Sequence, residues 1–349
     1  MLKKLIIQFC FIVSTLSIYM PLANAQSQKG EDSAVIIMYH RFGEGDFPTT
    51  NVTIEQFEHH IEELDKDIYN IVPLRTITEA LKNGEKLPPR TIAVTIDDGY
   101  LSIYNEAWPR FKAAGIPITL FISTKSINDQ NENSMNWDQI RELAADPLIE
   151  IGHHGHAHAH MANISVPEAM ADIATADEIY QRELGYIPDI FAFPYGEFSE
   201  ALLDAIKVKN YQSAFAQFSS VANSQSNMMA LPRFAFNESY SNLDRFKLII
   251  NSRALPVRDV LPRSPMLDIN PPAVGFTVNA EINGLGALSC FPSHLNEPAT
   301  INKIGGSRIE IRFDKPFPTG RHRINCTMPG PDGRWYWYGM PFFNLGSQE

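Results

Sequence analysis

The 349-residue chain has only three cysteines, a deficit of basic residues and, after its first 20 residues, no long apolar run. It carries 29 Lys and Arg against 40 Asp and Glu, which gives a net charge of −11. This acidity argues against nucleic acid or an anionic membrane as a partner, because both bind basic patches. The lack of later apolar runs argues against a membrane span in the body of the chain. A neutral polymer such as a polysaccharide stays compatible with this composition.

The first 25 residues have the pattern of a secretory signal peptide. Lys3 and Lys4 precede an apolar run over 5–20, and the small residues 23–25 predict cleavage before Gln26. Cleavage removes two lysines and no acids, so the charge changes from −11 to −13. The sequence thus predicts an exported protein, periplasmic or secreted, without a stable membrane anchor after cleavage. An uncleaved N-terminal anchor is the alternative.

The cysteines fit an exported protein. Cys10 lies inside the predicted signal peptide and too early for a lipoprotein cleavage site, so Cys290 and Cys326 remain. Two cysteines in an exported chain predict a disulfide, and two free buried thiols are the alternative.

Residues 26–255 alternate between strand and helix patterns. Repeated β-then-α units predict an α/β fold with a parallel sheet, and their number fits a distorted (β/α) barrel. In such folds the functional residues collect at the C-terminal ends of the strands. The predicted strands lie at 34–39, 91–97, 118–123, 149–152, 190–193 and 212–216, and the predicted helices at about 102–114, 137–145, 166–184 and 199–209.

The pattern changes after residue 255. The proline-rich stretch 256–272 predicts a linker. Residues 273–349 show short alternating runs separated by turn residues, with no helical period, and predict a small all-β sandwich domain. Both late cysteines fall in it, so the predicted disulfide would hold the smaller core together.

Two adjacent acids end one of the predicted strands. The run Val94–Tyr100 contains Asp97 and Asp98 followed by Gly99, which permits a sharp exit from the strand. Two neighbouring carboxylates repel unless a cation or proton is shared, so one of them is predicted to be a metal ligand. The alternative is an N-cap of the helix that follows.

Five histidines fall within residues 153–160. His154 and His158 are four residues apart, as are His156 and His160, and either pair could face one metal ion. Two imidazoles and one carboxylate suit zinc, although cobalt, nickel and iron accept the same ligands. The combination predicts a metal-dependent hydrolase, and a solvated histidine-rich loop is the alternative.

These residues resemble the motifs of a known family. Thr95–Gly99 resembles the T-F-D-D-G motif of the NodB-like polysaccharide deacetylases, carbohydrate esterase family four, and Glu150–His158 resembles their E-I-G-N-H-(S/T)-x-x-H motif. The resemblance covers roughly residues 34–240. It implies that Asp98, His154 and His158 hold the metal and that Asp97 is the general base, within a barrel of the NodB type.

The third motif of that family is only partly present. Phe191–Gly196 matches its proline–aromatic–glycine end but lacks the arginine that many members place before it. The resemblance implies that Pro194 shapes the substrate site and that the Tyr195 N–H stabilises the oxyanion. Arg233 is expected to orient Asp97 in place of the absent arginine, and a surface salt bridge is the alternative.

The family's late Leu-x-His motif, with its general-acid histidine, is absent, and Leu231–Arg233 stands in that region. Met38–His40 instead resembles the subgroup that deacetylates poly-N-acetylglucosamine, in which an early histidine looks like the replacement acid. We therefore expect His40 to be the general acid, with a structural histidine as the alternative. Trp137 is expected either to form a wall of the sugar site or to lie in the core.

The resemblance implies an enzyme that removes N-acetyl groups from an amino-sugar polysaccharide or oligosaccharide and releases acetate. Its substrate-binding residues would be Trp137, Pro194 and Arg233. One alternative is an O-acetyl esterase acting on a xylan-type polymer. A second alternative is a carbohydrate-binding protein with an inactive site.

Overall fold

The computed structural model describes residues 30–346, so the predicted signal peptide lies outside the described residues. A mostly parallel sheet forms the first part of the fold. The order of its main strands across the sheet follows their order along the chain. The predicted strands are all present, as Ser33–Tyr39, Thr91–Asp98, Ile118–Ile122, Ile149–His153, Ile190–Ala192 and Ser213–Phe215.

The sheet curls into a distorted barrel, which confirms the predicted fold. The last of these strands bridges in parallel to Leu231 through Phe215. The short strand Phe234–Ala235 then pairs in parallel with the first strand, which brings the two edges of the sheet together. The first strand is buried along its whole length, as expected for a parallel strand covered on both faces. Further short strands at Asn70–Ile71 and Ala222–Asn223 extend the sheet, and Arg41–Phe42 pairs separately with Asn51–Val52.

Helices cover the outside of the barrel. Three of them begin with a capping box, formed by Thr53 with Gln56, by Asn136 with Gln139 and by Ser165 with Glu168. The α-helices are Ile54–Leu64, Leu74–Asn83, Trp108–Ala113, Thr124–Asn128, Trp137–Ala144, Val166–Leu184, Glu200–Ile206 and Leu243–Ile250. Short 3₁₀ turns lie at Pro194–Gly196, Lys207–Lys209, Glu238–Tyr240, Leu285–Ala287 and Pro331–Gly333.

One predicted helix is irregular. The segment expected over 102–114 begins with a π-helical turn, Ile103–Ala107, and becomes α-helical only at Trp108. Pro109 has no N–H to donate, so the regular ladder of hydrogen bonds cannot run through this position.

The C-terminal part is a sandwich of two four-stranded sheets, as predicted. Apolar side chains from both sheets form its core. Cys290 and Cys326 face each other in register on adjacent strands and form the predicted disulfide. One sheet contains Arg253–Ala254, Trp335–Asn344, Gly320–Pro329 and Ser289–Pro292, and the other contains Val257–Leu261, Val274–Val278, Arg308–Arg312 and Thr300–Ile304.

The predicted linker over 256–272 needs a correction, because Val257–Leu261 is an edge strand of the sandwich. Val257 and Val260 pack against the sandwich core, and the neighbouring prolines 256 and 262 flank the strand without interrupting it. Residues before the predicted boundary also join this domain, since Arg253–Ala254 pairs with Tyr336 and Trp337. In the described range, no helix combines the length and the hydropathy that a membrane crossing requires.

Candidate active site

The strand register brings the predicted site residues to one level of the sheet. Asp98 pairs with Ile122, and Ile122 pairs with His153 on the next strand. On the other side Tyr39 pairs with Ile96. His40, Asp97, Asp98 and His154 therefore all follow or end neighbouring parallel strands at their carboxyl ends.

The backbone at Asp98 has an unusual conformation. Its φ of 77° lies in the left-handed region, which a non-glycine residue rarely adopts. Adjacent side chains on a regular strand point to opposite faces, so this conformation lets Asp98 and Asp97 serve one site. The carboxylate Oδ1 of Asp98 lies 3.3 Å from His154 Nε2 and 3.0 Å from His158 Nε2.

His154 is held in the tautomer that a metal ligand requires. Its Nδ1–H donates to the Ala192 carbonyl at 2.7 Å, which leaves the Nε2 lone pair directed toward Asp98. Metal-binding histidines usually have such a partner on the second ring nitrogen. His154 is buried, whereas the side chain of His158 is 28% exposed.

The loop between the two histidines is fixed by Asp172 on the helix Val166–Leu184. The Asp172 carboxylate accepts hydrogen bonds from the His156 and Ala157 N–H groups, each at 2.8 Å. Gly155 turns the chain there with a φ of 71°, and a Cβ on it would lie 2.8 Å from the Asp172 carboxylate. His158 follows with a φ of 51°, so the backbone directs its ring back toward Asp98.

The three residues Asp98, His154 and His158 fit a divalent metal ion. Their ligand atoms all lie within 4.8 Å of one another. Asp98 Oδ1 is buried, and its contacts with the two imidazoles lack hydrogen-bond geometry. Burial alone would raise the pKa of Asp98, but the neighbouring imidazoles of His154 and His158 hold it well below its ordinary value. A buried ionised oxygen that faces two imidazole nitrogens is a donor set suited to zinc.

Asp97 is bound by Arg233. Two guanidinium nitrogens, Nη1 and Nη2, each donate to one carboxylate oxygen at 2.7 Å, and Arg233 also donates to Thr95 Oγ1 and the Ala216 carbonyl. Burial opposes ionisation, yet the Arg233 guanidinium, helped by His154 and His40, lowers the pKa of Asp97. The carboxylate is therefore ionised at neutral pH and can accept a proton.

Arg233 is 0% exposed, so it is not the surface salt bridge of the alternative interpretation. The sequence also predicts Arg233 to bind substrate, but its guanidinium donates to Asp97 and to the Ala216 carbonyl inside the sheet. Its position in the segment that closes the sheet explains the burial.

His40 lies among the charged groups of the site. Burial lowers its pKa, and the carboxylates of Asp98 and Asp97 oppose that shift because both stabilise the imidazolium. Its Nδ1 is buried and has no hydrogen-bond partner in the described part of the chain. A partly buried imidazole with a free nitrogen beside the two acids fits the proton donor expected here.

The turn Pro194–Gly196 lies beside His158. Tyr195 has a φ of 58°, and its ring meets the His158 ring edge-on with centroids 4.4 Å apart. Gly196 is required at the next position, since a Cβ there would lie 2.2 Å from the backbone nitrogen of Gln217. Pro194 is buried within this turn, so it shapes the wall beside the candidate metal centre.

The remaining histidines of the cluster have other partners. His153 accepts from the Gly155 N–H through Nδ1 and lies 3.2 Å from Asp177 through Nε2. His156 bonds to Thr124, and His160 bonds to Glu197 and stacks on Tyr195 with centroids 3.7 Å apart. The pair His156 and His160 is thus turned away from Asp98.

Trp137 packs at the start of its helix against Tyr180, and its Nε1–H donates to Asn128. It also packs against the main hydrophobic core. These contacts favour the core interpretation, and a role in sugar binding stays a prediction.

Sequence reasoning missed the residues that support this site from a distance. Asp172 is one acid within an amphipathic helix, and Arg321, which donates to the Tyr195 carbonyl, belongs to the other domain. Neither has a local sequence signal. Glu197 directly follows the Pro-Tyr-Gly turn, and that adjacency alone could have indicated it.

The barrel, the Asp-Asp strand end and the paired histidines define a hydrolase domain of the NodB type. Residues 84–214 match the family model described as polysaccharide deacetylase. This match confirms the resemblance seen in the motifs.

Known relatives are about a quarter identical to this chain over the aligned regions. The Bacillus subtilis protein YxkH, which has a provisional polysaccharide deacetylase name, is 25% identical over 57% of this chain and 69% of its own length. A poly-β-1,6-N-acetyl-D-glucosamine N-deacetylase of Staphylococcus aureus (strain MRSA252) is 24% identical over 60% of this chain and 80% of its own length. The enzyme of the same name from Escherichia coli K12 is matched over only 30% of its length.

The fold is also that of a solved deacetylase. Streptococcus pyogenes PplD, solved in complex with acetate, superposes with a TM-score of 0.57 and 17% sequence identity. The superposition covers 62% of this chain and 98% of that one.

Proposed function

We propose that this protein removes N-acetyl groups from an acetylated amino-sugar polysaccharide, and that poly-β-1,6-N-acetyl-D-glucosamine is the first polymer to test. The observation that carries the proposal is the convergence of His40, Asp97 and the Asp98–His154–His158 set at one end of the sheet. The names of the S. aureus and E. coli relatives support the N-acetyl substrate.

The chemistry requires a base and an acid, because amide hydrolysis adds water to a carbonyl and expels a poor leaving group. Asp97 accepts a proton from the attacking water. His40 donates a proton to the sugar nitrogen as the carbon–nitrogen bond breaks, so the products are acetate and a free amine. The Tyr195 N–H donates to the acetyl oxygen as negative charge develops there.

Asp98, His154 and His158 are the proposed ligands of a divalent ion, with zinc the first candidate. When bound, such an ion lowers the pKa of a water molecule and polarises a carbonyl. Arg233 keeps Asp97 ionised and fixed in orientation. Asp172 fixes the loop that carries His158.

We further propose that the protein is exported. The Cys290–Cys326 disulfide supports this, since disulfides persist in oxidising compartments. The predicted signal peptide supports the same location.

The test is acetate release by the full mature chain, with and without added zinc. The substrates are N-acetylglucosamine oligomers with β-1,6 linkages, chitin oligomers and O-acetylated xylan. N-acetyl substrates should be hydrolysed, and activity on xylan alone would favour the esterase. No release from any of the three would favour a carbohydrate-binding protein.

Single substitutions test the role proposed for each residue. Asp97→Asn should bind zinc normally and lose turnover, whereas His154→Ala should lose both. His40→Gln should lose most activity on N-acetyl substrates, and His59→Gln, an exposed histidine, is its matched control. Full activity of His40→Gln would show that another group protonates the amine.

A further inference from the structure

Arg321 of the β-sandwich reaches the candidate active site. It lies on the strand Gly320–Pro329, and its Nη1–H donates to the Tyr195 carbonyl at 2.8 Å. Its Nε lies 3.7 Å from the Glu197 carboxylate, and its guanidinium carbon lies 5.3 Å from the centre of the Tyr195 ring. One side chain from the second domain therefore contacts the middle residue of the turn beside His158 and the residue that follows the turn.

That turn needs external support. Tyr195 adopts a left-handed φ of 58°, a conformation that is costly for a residue with a Cβ and persists only when the surroundings impose it. Glu197 is buried, and its carboxylate lies between His160 Nδ1 at 3.1 Å and Arg321. His160 in turn stacks on the Tyr195 ring. Arg321, Glu197 and His160 thus enclose Tyr195 on the side away from the strands.

The domain interface fixes Arg321 in place. Phe343 is in register with Arg321 on the adjacent strand and packs edge-on against Phe198 of the barrel. Further along the same strand, Trp337 donates to the Ser219 carbonyl and packs on Phe234. The barrel and the sandwich are therefore in direct contact on both sides of the turn.

The two domains approach each other closely at Gly339. A Cβ at this position would lie 2.0 Å from the Ser219 carbonyl oxygen. The Gly339 N–H also donates to Ser220 Oγ at 3.0 Å. The barrel and the sandwich are therefore in direct backbone contact at this position.

We propose that the β-sandwich completes the active site, and that Arg321 is a positioning residue that fixes the Tyr195 turn and so aims the Tyr195 N–H at the substrate. The inference rests on the proposed deacetylase function. It assigns the sandwich a role in turnover and not primarily in polymer binding. Arg321 acts through the Tyr195 carbonyl and Glu197, and it takes no part in bond breaking itself.

The kinetic test compares Arg321→Ala and Arg321→Lys with Arg258→Ala, an exposed arginine of the same domain that pairs with Asp259. Arg321→Ala should lower kcat about ten- to a hundredfold with KM and zinc affinity nearly unchanged, because misplaced groups cost this much in rate. Arg321→Lys should recover part of the loss, and Arg258→Ala should match the wild type. An unchanged kcat, or a raised KM at constant kcat, would overturn the positioning role.

Hydrogen exchange gives a readout that does not depend on turnover. The N–H groups of Gly196 and Glu197 donate within the turn, to the carbonyls of Phe193 and Pro194. Arg321→Ala should speed their exchange about tenfold or more, and Arg258→Ala should not. Unchanged exchange would overturn the inference even if the wild type releases acetate. A wild type that releases no acetate would instead refute the proposed function.

Discussion

Arg233 holds Asp97 through two parallel hydrogen bonds of 2.7 Å, and both side chains are shielded from solvent. The two residues are 136 positions apart in the chain. Asp97 ends a central strand, while Arg233 lies in the segment that closes the sheet. The proposed base is therefore correctly placed only when the barrel has closed.

Removing Arg233 should destabilise the fold as well as the site. In Arg233→Met the Asp97 carboxylate stays buried without its partner, and we expect a loss of about 3–5 kcal/mol in the free energy of unfolding. The double variant Asp97→Asn with Arg233→Met should recover part of this loss, because no unpaired charge remains. Urea denaturation of the single and double variants measures both the loss of stability and its recovery. Equal stability of Arg233→Met and the wild type would contradict the pairing.

Asp172 should control metal affinity without touching the metal. In Asp172→Ala the His156 and Ala157 N–H groups lose their acceptor, so the loop that carries His158 is no longer fixed. We expect zinc affinity to fall about 10- to 100-fold, as for other residues that orient metal ligands. Competition with a chromophoric chelator measures it. Glu178→Ala, an exposed acid of the same helix, is the control and should bind zinc as the wild type does.

His60 should make stability depend on pH. Burial lowers its pKa to about 4, while its ring bonds to the Tyr39 hydroxyl and the Ser241 carbonyl. The unfolded chain, with an ordinary pKa of about 6.5, binds the proton more readily, so stability is lost as the pH falls from about 6.5 toward 4. Through this single group, lowering the pH from 7 to 5 should reduce the free energy of unfolding by about 2 kcal/mol.

The comparison of His60→Gln with the wild type isolates that contribution, because all other groups titrate in both proteins. Urea denaturation at the two pH values should show a smaller loss in His60→Gln. His59→Gln, at the exposed neighbouring position, should keep the wild-type loss. Identical pH dependence of all three proteins would refute the role of His60.

The disulfide should stabilise the sandwich by restricting its unfolded state. It closes a loop with a sequence separation of 36 residues, for which the chain-entropy relation gives about 4 kcal/mol. Cys290→Ala with Cys326→Ala should lower the free energy of unfolding by an amount of this order, measured by urea denaturation. A reductant should destabilise the wild type similarly and leave the variant unaffected, and a reductant effect on the variant would point to another cause.

Local patterns predicted much of this fold. The buried strand before Asp97 is rich in β-forming residues and a short apolar stretch precedes His153, so the ends of both strands could be located from the sequence. The same patterns did not reveal the strand Val257–Leu261, because its flanking prolines resemble a linker and its pairing partner comes later in the chain.

The sequence alone could not distinguish the two histidine pairs, because both have the same spacing. The structure separates them through distant partners: Ala192 and Asp98 for His154, and Thr124 for His156. Contacts of this kind depend on how strands and helices pack together, and the periodicity of the sequence does not predict them. The family resemblance supplied the choice that the spacing left open.

The acceptor that fixes His154 is a main-chain carbonyl, that of Ala192. No change of side chain at residue 192 removes this carbonyl. The hydrogen bond to His154 therefore does not depend on which side chain residue 192 carries. Ala192 is fully buried in a hydrophobic cluster, so a mutational scan should find that position limited by side-chain volume and by the cost of burying a polar group. The orientation of the His154 ring therefore depends on the backbone at residue 192 and not on its side chain.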